Sequence, residues 1–237
     1  MIPVPPQVRL RRKVTHRLIA SRYPSAGILD RVASPADLEA VFELEGWTND
    51  RITTELGILL RIPREEWAVG TPMSSVVMAA FCHPRVGGGR FNDEARGAWY
   101  ASFTVDTAHA EVAYHRGREL AEIGVTDARM EMREYVAETS GPFHDIRSDV
   151  REYRPLYHLA SYAASQRFAR DLLASGSNGV VYRSVRREGG TCLACFNPRL
   201  LARVRVAGHY EYRWSGGGAP AIRRVNAKLN ETGDPLT

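Results

Sequence analysis

The sequence predicts a single α+β domain in which helices surround a β-sheet, and three observations carry that expectation. Short runs of strand character recur along the chain: VTHRLIA from Val14, WYASF from Trp99, VVYRSV from Val180, TCLACF from Thr191 and RVRVAGHYEYRW from Arg203. Between them lie helical patterns, AHAEVAYHRGREL from Ala108 and a stretch carrying Tyr162, Gln166, Phe168, Leu172 and Leu173. The 237 residues contain no linker that would divide two domains, and 44% hydrophobic with 25% charged residues is the composition of an ordinary globular chain.

Taken in order, residues 1–13 are rich in Pro and Arg and are expected to extend over the surface. Val14, His16, Leu18 and Ala20 then alternate against Thr15, Arg17 and Ile19, a strand that Pro24 ends. Ser34 followed by Pro35 reads as an N-cap and first helical residue, opening a helix through Leu38, Val41, Phe42 and Leu44. Thr48, Asn49 and Arg51 fit a structural turn. ELGILLRIP reads as a short helix or strand, EEWAVG as a loop, and SSVVMAAFCHP as an apolar helix or strand that delivers the chain to Gly87.

WYASF is expected to be a strand buried on both faces, and Thr107 the N-cap of the next helix. MEMREYVAET and PFHDIRS read as two strand-like pieces. Gly176 to Gly179 closes the helix that follows. Ser184 falls on the VVYRSV strand, two residues after Tyr182 and on the same face, and GGTCLACF returns as its hairpin partner. RVRVAGHYEYRW is the final strand, and residues 215–237 form a tail.

The net charge is +5 and the pI near 9.3. Basic residues are dispersed except for Arg9, Arg11, Arg12 and Lys13 near the start and Arg183, Arg186 and Arg187 near Ser184. No zinc-finger, homeodomain or RNP pattern accompanies them, which disfavours direct nucleic-acid reading and favours an acidic partner or an anionic substrate. Cys192 and Cys195 form C-x-x-C, but in apolar TCLACF and without a second ligand pair they read as buried strand thiols. The longest uncharged stretch, Trp67 to His83, is interrupted by Gly70 and Pro72 and is too short to span a bilayer. The N-terminus lacks the apolar core of a secretory signal, so no membrane association and a cytoplasmic setting are expected.

Chemistry concentrates between Gly87 and His115. Three glycines, Gly87 to Gly89, let a backbone approach a ligand or take positive φ. Arg90 offers a fork of donors for phosphate or carboxylate. Tyr100 adds an aromatic face and Glu111 a carboxylate, so an anion clamp, a stacking ring and an acid lie within about two dozen residues. A plain structural reading uses the same residues: the glycines as a turn, Arg90 paired with Asp93, Tyr100 in the core and Glu111 in solvent. Glu111 and His115, four apart on one helix, share a face, so His115 is a candidate to orient Glu111.

GGGRFN, WYASF and TAHAEVAYH, followed much later by NGVVYRSVRREGGTCLACF, resemble the RES domain family, named for an Arg, a Glu and a Ser that fall here on Arg90, Glu111 and Ser184. The resemblance runs over 14–214 and implies an ADP-ribosyltransferase-like fold with a mixed β-sheet core. It implies the toxin of a bacterial toxin–antitoxin pair that depletes NAD by breaking the nicotinamide–ribose bond, with water or inorganic phosphate as acceptor and no metal. By the same resemblance Arg17, or its neighbour Arg22, and Arg90 contact the dinucleotide and Tyr100 stacks on it. Glu111 stabilises the oxocarbenium-like centre, and Ser184 hydrogen-bonds the ribose or carboxamide.

The implied partner is an Xre-type helix-turn-helix antitoxin that blocks the site, through which alone the toxin would meet DNA. The resemblance also leaves open ADP-ribose transfer to a protein, and a non-catalytic module that binds a nucleotide or partner is a further alternative. Transferases of this fold often carry a second carboxylate two residues before the catalytic one. His109 stands there, which favours water or phosphate as acceptor. A serine hydrolase is disfavoured, because YRSVR is not a G-x-S-x-G elbow.

Overall fold

The computed structural model of the protein describes residues 2–23, 28–30, 59 and 62–226. The helix expected from Ser34 and the Thr48–Arg51 group lie outside the described residues, as does most of ELGILLRIP. Among the described residues the regular elements are β1 (Gln7–Ala20), α1 (Ser74–Cys82), β2 (Trp99–Ser102), α2 (Val105–Glu122), β3 (Ala128–Asp145), α3 (Ala163–Ala174), β4 (Gly179–Arg183), β5 (Thr191–Cys195), β6 (Leu201–Trp214) and β7 (Ala221–Val225).

The strands form one sheet in the order β1-β2-β5-β4-β3-β6-β7, and β1 also pairs with β3. Five strands therefore close into a ring, from which β6 and β7 extend along β3. Every pairing is antiparallel except β3–β4, so the sheet is mixed. The architecture is the expected α+β one, with helices packed on a sheet.

Burial explains which segments became central. β2, β4 and β5 are apolar on both faces because both are covered. Trp99, Ala101, Val181, Leu193 and Cys195 meet α1 through Val76, Val77, Met78 and Phe81. Val180, Tyr182, Cys192 and Ala194 meet Phe168, Ala169 and Leu172 of α3. α2 covers Leu18, Met132, Tyr212 and Trp214 with Ala108 and Leu120.

The structure departs from the sequence expectation at several boundaries. β1 begins at Gln7 rather than Val14, so half of the segment expected to trail over the surface is paired with β3. A bulge between Leu10 and Lys13 hides the strand periodicity. Arg12 takes the left-handed φ of 47° there, its backbone N–H donating to Ser140 Oγ at 2.9 Å and its side chain to Glu138 at 2.8 Å.

β3 is one strand of 18 residues, running through Gly141 and Pro142 where the sequence suggests a break. Its far end pairs with β4 while its body pairs with β6. α2 starts a turn earlier than expected. Thr104, in extended backbone, is the N-cap, and its hydroxyl accepts from Thr107 N–H. β4 ends at Arg183, leaving Ser184 just beyond the strand. The expected tail contains β7, an edge strand on β6.

Candidate active site

β1 and β2 pair at His16–Ser102. Beside that junction opens a cavity of about 740 Å³, walled by both strands, by α2, by the end of α1 and by the glycine loop. Its lining includes Arg17, Arg90, Tyr100, Glu111 and His115. Ser184 reaches it through Glu111.

The glycine loop is built for close packing. Gly87 and Gly88 have φ of 77° and 71°. A Cβ on Gly88 would lie 2.3 Å from Asn92 O, and one on Gly89 would lie 2.6 Å from the Tyr100 hydroxyl. Gln166 on α3 pins the loop by donating to Gly87 O at 2.8 Å and Gly89 O at 3.0 Å. The glycines thus admit the protein's own backbone and Tyr100. Gly88→Ala should lower stability by about 2 kcal/mol, read as a fall in Tm of roughly 4–8 °C by calorimetry.

Arg90 follows the loop and is buried. Its Nη1 donates to Leu156 O and His158 O, both at 2.9 Å, and its guanidinium lies 4.8 Å from the Tyr162 ring. Asp93 pairs instead with Arg170 at 3.1 Å, so a surface Arg90–Asp93 pair is not formed. The Tyr100 hydroxyl accepts from Phe91 N–H at 2.7 Å and donates to Asn92 Oδ1 at 2.9 Å. Burial drives that phenol well above its ordinary range. The scaffold consumes the hydroxyl, and Tyr100 lines the cavity.

Arg17 bridges the two strands where they part. Its Nη1 donates to Tyr100 O at 3.0 Å and its guanidinium lies 4.9 Å from the Trp99 ring. Burial lowers its pKa to about 10, which leaves it a cation at neutral pH. Its Nε is buried without a partner among the described residues. Arg22 is exposed, and among the described residues its contacts are with Tyr23, whose hydroxyl accepts at 3.2 Å. Of the two early arginines, Arg17 is the one in the cavity.

Glu111 projects from α2, and Ser184 Oγ donates to its Oε1 at 2.6 Å. Ser184 Oγ in turn accepts from Arg186 N–H at 3.1 Å and Arg187 N–H at 3.0 Å. Two backbone donors on the oxygen direct its one proton at the carboxylate. Ser184 therefore positions Glu111. Cys192 Sγ lies 3.8 Å from Glu111 Oε1, and burial pushes this thiol up to about 12, keeping it protonated.

His115 Nε2 is 3.9 Å from Glu111 Oε2. Burial, reinforced by the cations Arg85 and Arg186, pulls its pKa down to about 4, so it is neutral at physiological pH. His109 faces the other way: its Nδ1 is 2.5 Å from the Tyr212 hydroxyl and its ring meets Tyr210 edge-on. The position two before Glu111 is thus turned away from the cavity.

The cavity also uses residues the sequence did not single out as functional. Tyr162 stacks on Arg90, Tyr182 and Cys192 line the cavity, Cys192 against Glu111, and His16 lines the β1 wall. Cys192 and Cys195 are free and buried, as their apolar setting suggested. Among the described residues no cluster of three His, Cys, Asp or Glu side chains is arranged to hold a metal ion, and no helix is long and apolar enough to cross a membrane.

The chain is 27% identical over 201 residues to the uncharacterized protein y4oC of Sinorhizobium fredii (strain NBRC 101917 / NGR234), covering 85% of this chain and 83% of that protein. A chain in the crystal structure of the M. tuberculosis MbcT-MbcA toxin-antitoxin complex aligns with a TM-score of 0.39 and 12% identity, over 52% of this chain and 71% of that one. Residues 58–215, which carry Arg90, Tyr100, Glu111 and Ser184, match the family model of the RES domain, and the chain belongs to the RES domain family.

Proposed function

We propose that this protein is the toxin of a toxin–antitoxin pair and that it consumes NAD by cleaving the bond between nicotinamide and ribose. The observation that supports the reading most is the Glu111 carboxylate, fixed by Ser184 inside a cavity that also presents Arg17, Arg90 and the Tyr100 ring. A cavity of about 740 Å³ is of a size that encloses a ligand of this class.

In this reading the two arginines neutralise the pyrophosphate and the Tyr100 ring stacks on the substrate. Glu111 stabilises positive charge as it develops on the ribose. The glycosidic bond breaks with its electron pair leaving on nicotinamide, and a carboxylate already oriented by Ser184 needs no rearrangement to meet the resulting cation. The Ser184 proton is occupied by Glu111, so its contribution to substrate is through that carboxylate. No residue of the cavity is assigned to a metal.

The partner in this reading is an Xre-type antitoxin that covers the cavity mouth, with DNA contacted only through it, and the setting is the cytoplasm. Transfer of ADP-ribose to a protein is the weaker alternative, because the residue that would prime an acceptor side chain is His109, hydrogen-bonded to Tyr212. Purified protein incubated with NAD, with and without phosphate, tests the reading by chromatography. Nicotinamide release is expected, with the sugar product identifying the acceptor. A folded chain that leaves NAD intact sinks it.

A further inference from the structure

β1 brings a second ionisable side chain, His16, to the wall of the same cavity, with Glu134 of β3 behind it. His16 Nδ1 lies 2.7 Å from Glu134 Oε1. The Tyr210 hydroxyl donates to the other carboxylate oxygen at 2.9 Å. Glu134 is buried and each of its oxygens has a hydrogen-bonding neighbour; in the neutral tautomer that donates from Nδ1 to Glu134, the His16 Nε2 is an acceptor. Among the described residues Nε2 has no hydrogen-bond partner, and His16 lines the cavity.

Register locates the pair relative to Glu111. His16 is opposite Ser102, and Ser102 is opposite Cys192. Cys192 is the residue that touches Glu111. All three line one cavity and belong to one cross-strand row. Two strand spacings, about 10 Å, separate the backbone of His16 from that of Cys192. A carboxylate at one end of such a row and a base at the other is the arrangement that lets water attack a sugar carbon opposite the departing group.

His115, beside Glu111, is a poor base, because burial first, and then Arg85 and Arg186, oppose its protonation. His16 instead has a carboxylate behind it to stabilise the imidazolium.

The geometry points to His16 as the general base that activates water as the acceptor in this cavity, with Glu134 as its positioning residue. The inference rests on the NAD-cleaving reading. The C1″–nicotinamide bond breaks with its electrons leaving on nicotinamide, and the water oxygen bonds to C1″. The water proton passes to His16 Nε2, and ADP-ribose results. His16 precedes the segment matched by the family model, so the assignment concerns this chain's own N-terminal strand.

A nucleophile that needs no deprotonation separates this role from a structural one. His16→Asn keeps an N–H donor for Glu134. It is expected to fold, as judged by its thermal melt, and to lose about 10²-fold in nicotinamide release in water. Sodium azide should restore release to within about tenfold of wild type, with ADP-ribosyl azide as product, whereas azide should not restore Glu111→Gln. Glu134→Gln should lose less, about tenfold. Nicotinamide release at the wild-type rate by His16→Asn, or a loss that azide leaves unchanged, overturns the assignment while leaving NAD cleavage intact. Absence of release from the wild-type chain overturns both readings together.

Discussion

Glu111→Gln is expected to lower nicotinamide release from NAD by at least about 10³-fold, with the fold and NAD affinity nearly unchanged. The amide is almost isosteric with the carboxylate and still accepts the Ser184 hydroxyl proton at Oε1, so the 2.6 Å contact that orients the group survives. What disappears is the negative charge, and that charge matters only as the ribose becomes cationic. The loss should therefore fall on kcat and leave KM nearly constant. A single-turnover assay and a calorimetric titration with NAD measure the two quantities. Cleavage by Glu111→Gln at a tenth of the wild-type rate would remove Glu111 from the central role.

The second large effect is expected at Arg90, where stability and binding are joined. Its Nη1 holds Leu156 O and His158 O, and Leu156 is fully buried. Arg90→Leu leaves both carbonyls without this donor and removes the stack on Tyr162. A loss of about 2–4 kcal/mol follows, a fall in Tm of roughly 4–16 °C for a chain of this size. NAD binding, measured in the inactive Glu111→Gln background, should weaken by at least about tenfold. Arg90→Lys should recover less than half of either loss, because a single ammonium cannot hold two carbonyls and an aromatic face together. An Arg90→Leu variant that melts with the wild type would show that the guanidinium is not an anchor.

The parts of the fold legible in the sequence are those where burial is two-sided. WYASF and the VVYRSV–TCLACF hairpin read as strands because helices cover both faces, which makes their apolar runs continuous. The first half of β1 was not legible. Its charges point to solvent around a bulge at Arg12, and the resulting pattern looks like a basic leader. β3 looked like two pieces because Gly-Pro usually ends a strand, whereas here Gly141 takes a φ of 133° and the strand continues.

The site divides along similar lines. Arg90, Tyr100 and Glu111 sit in one block of sequence, and the structure brings them to one cavity. Ser184 was legible as a member of the group, but its partner was not: the expected contact was with substrate, and the observed one is with Glu111. The His16–Glu134 pair spans 118 positions and depends on the register between β1 and β3, which local pattern does not encode. Choosing Arg17 over Arg22 likewise required knowing which way the end of β1 faces.

The closed ring of strands sets a boundary on what can be detached. The stretch that defines the family begins at residue 58, yet β1, which seals the ring between β2 and β3, lies at residues 7–20. A fragment cut at the family boundary would expose two raw sheet edges, each a template for pairing with a neighbouring molecule. It would also surrender the wall that holds Arg17 and His16. The segment matched by the family model and the unit that folds are therefore not the same length of chain, and β1 is part of the difference between them.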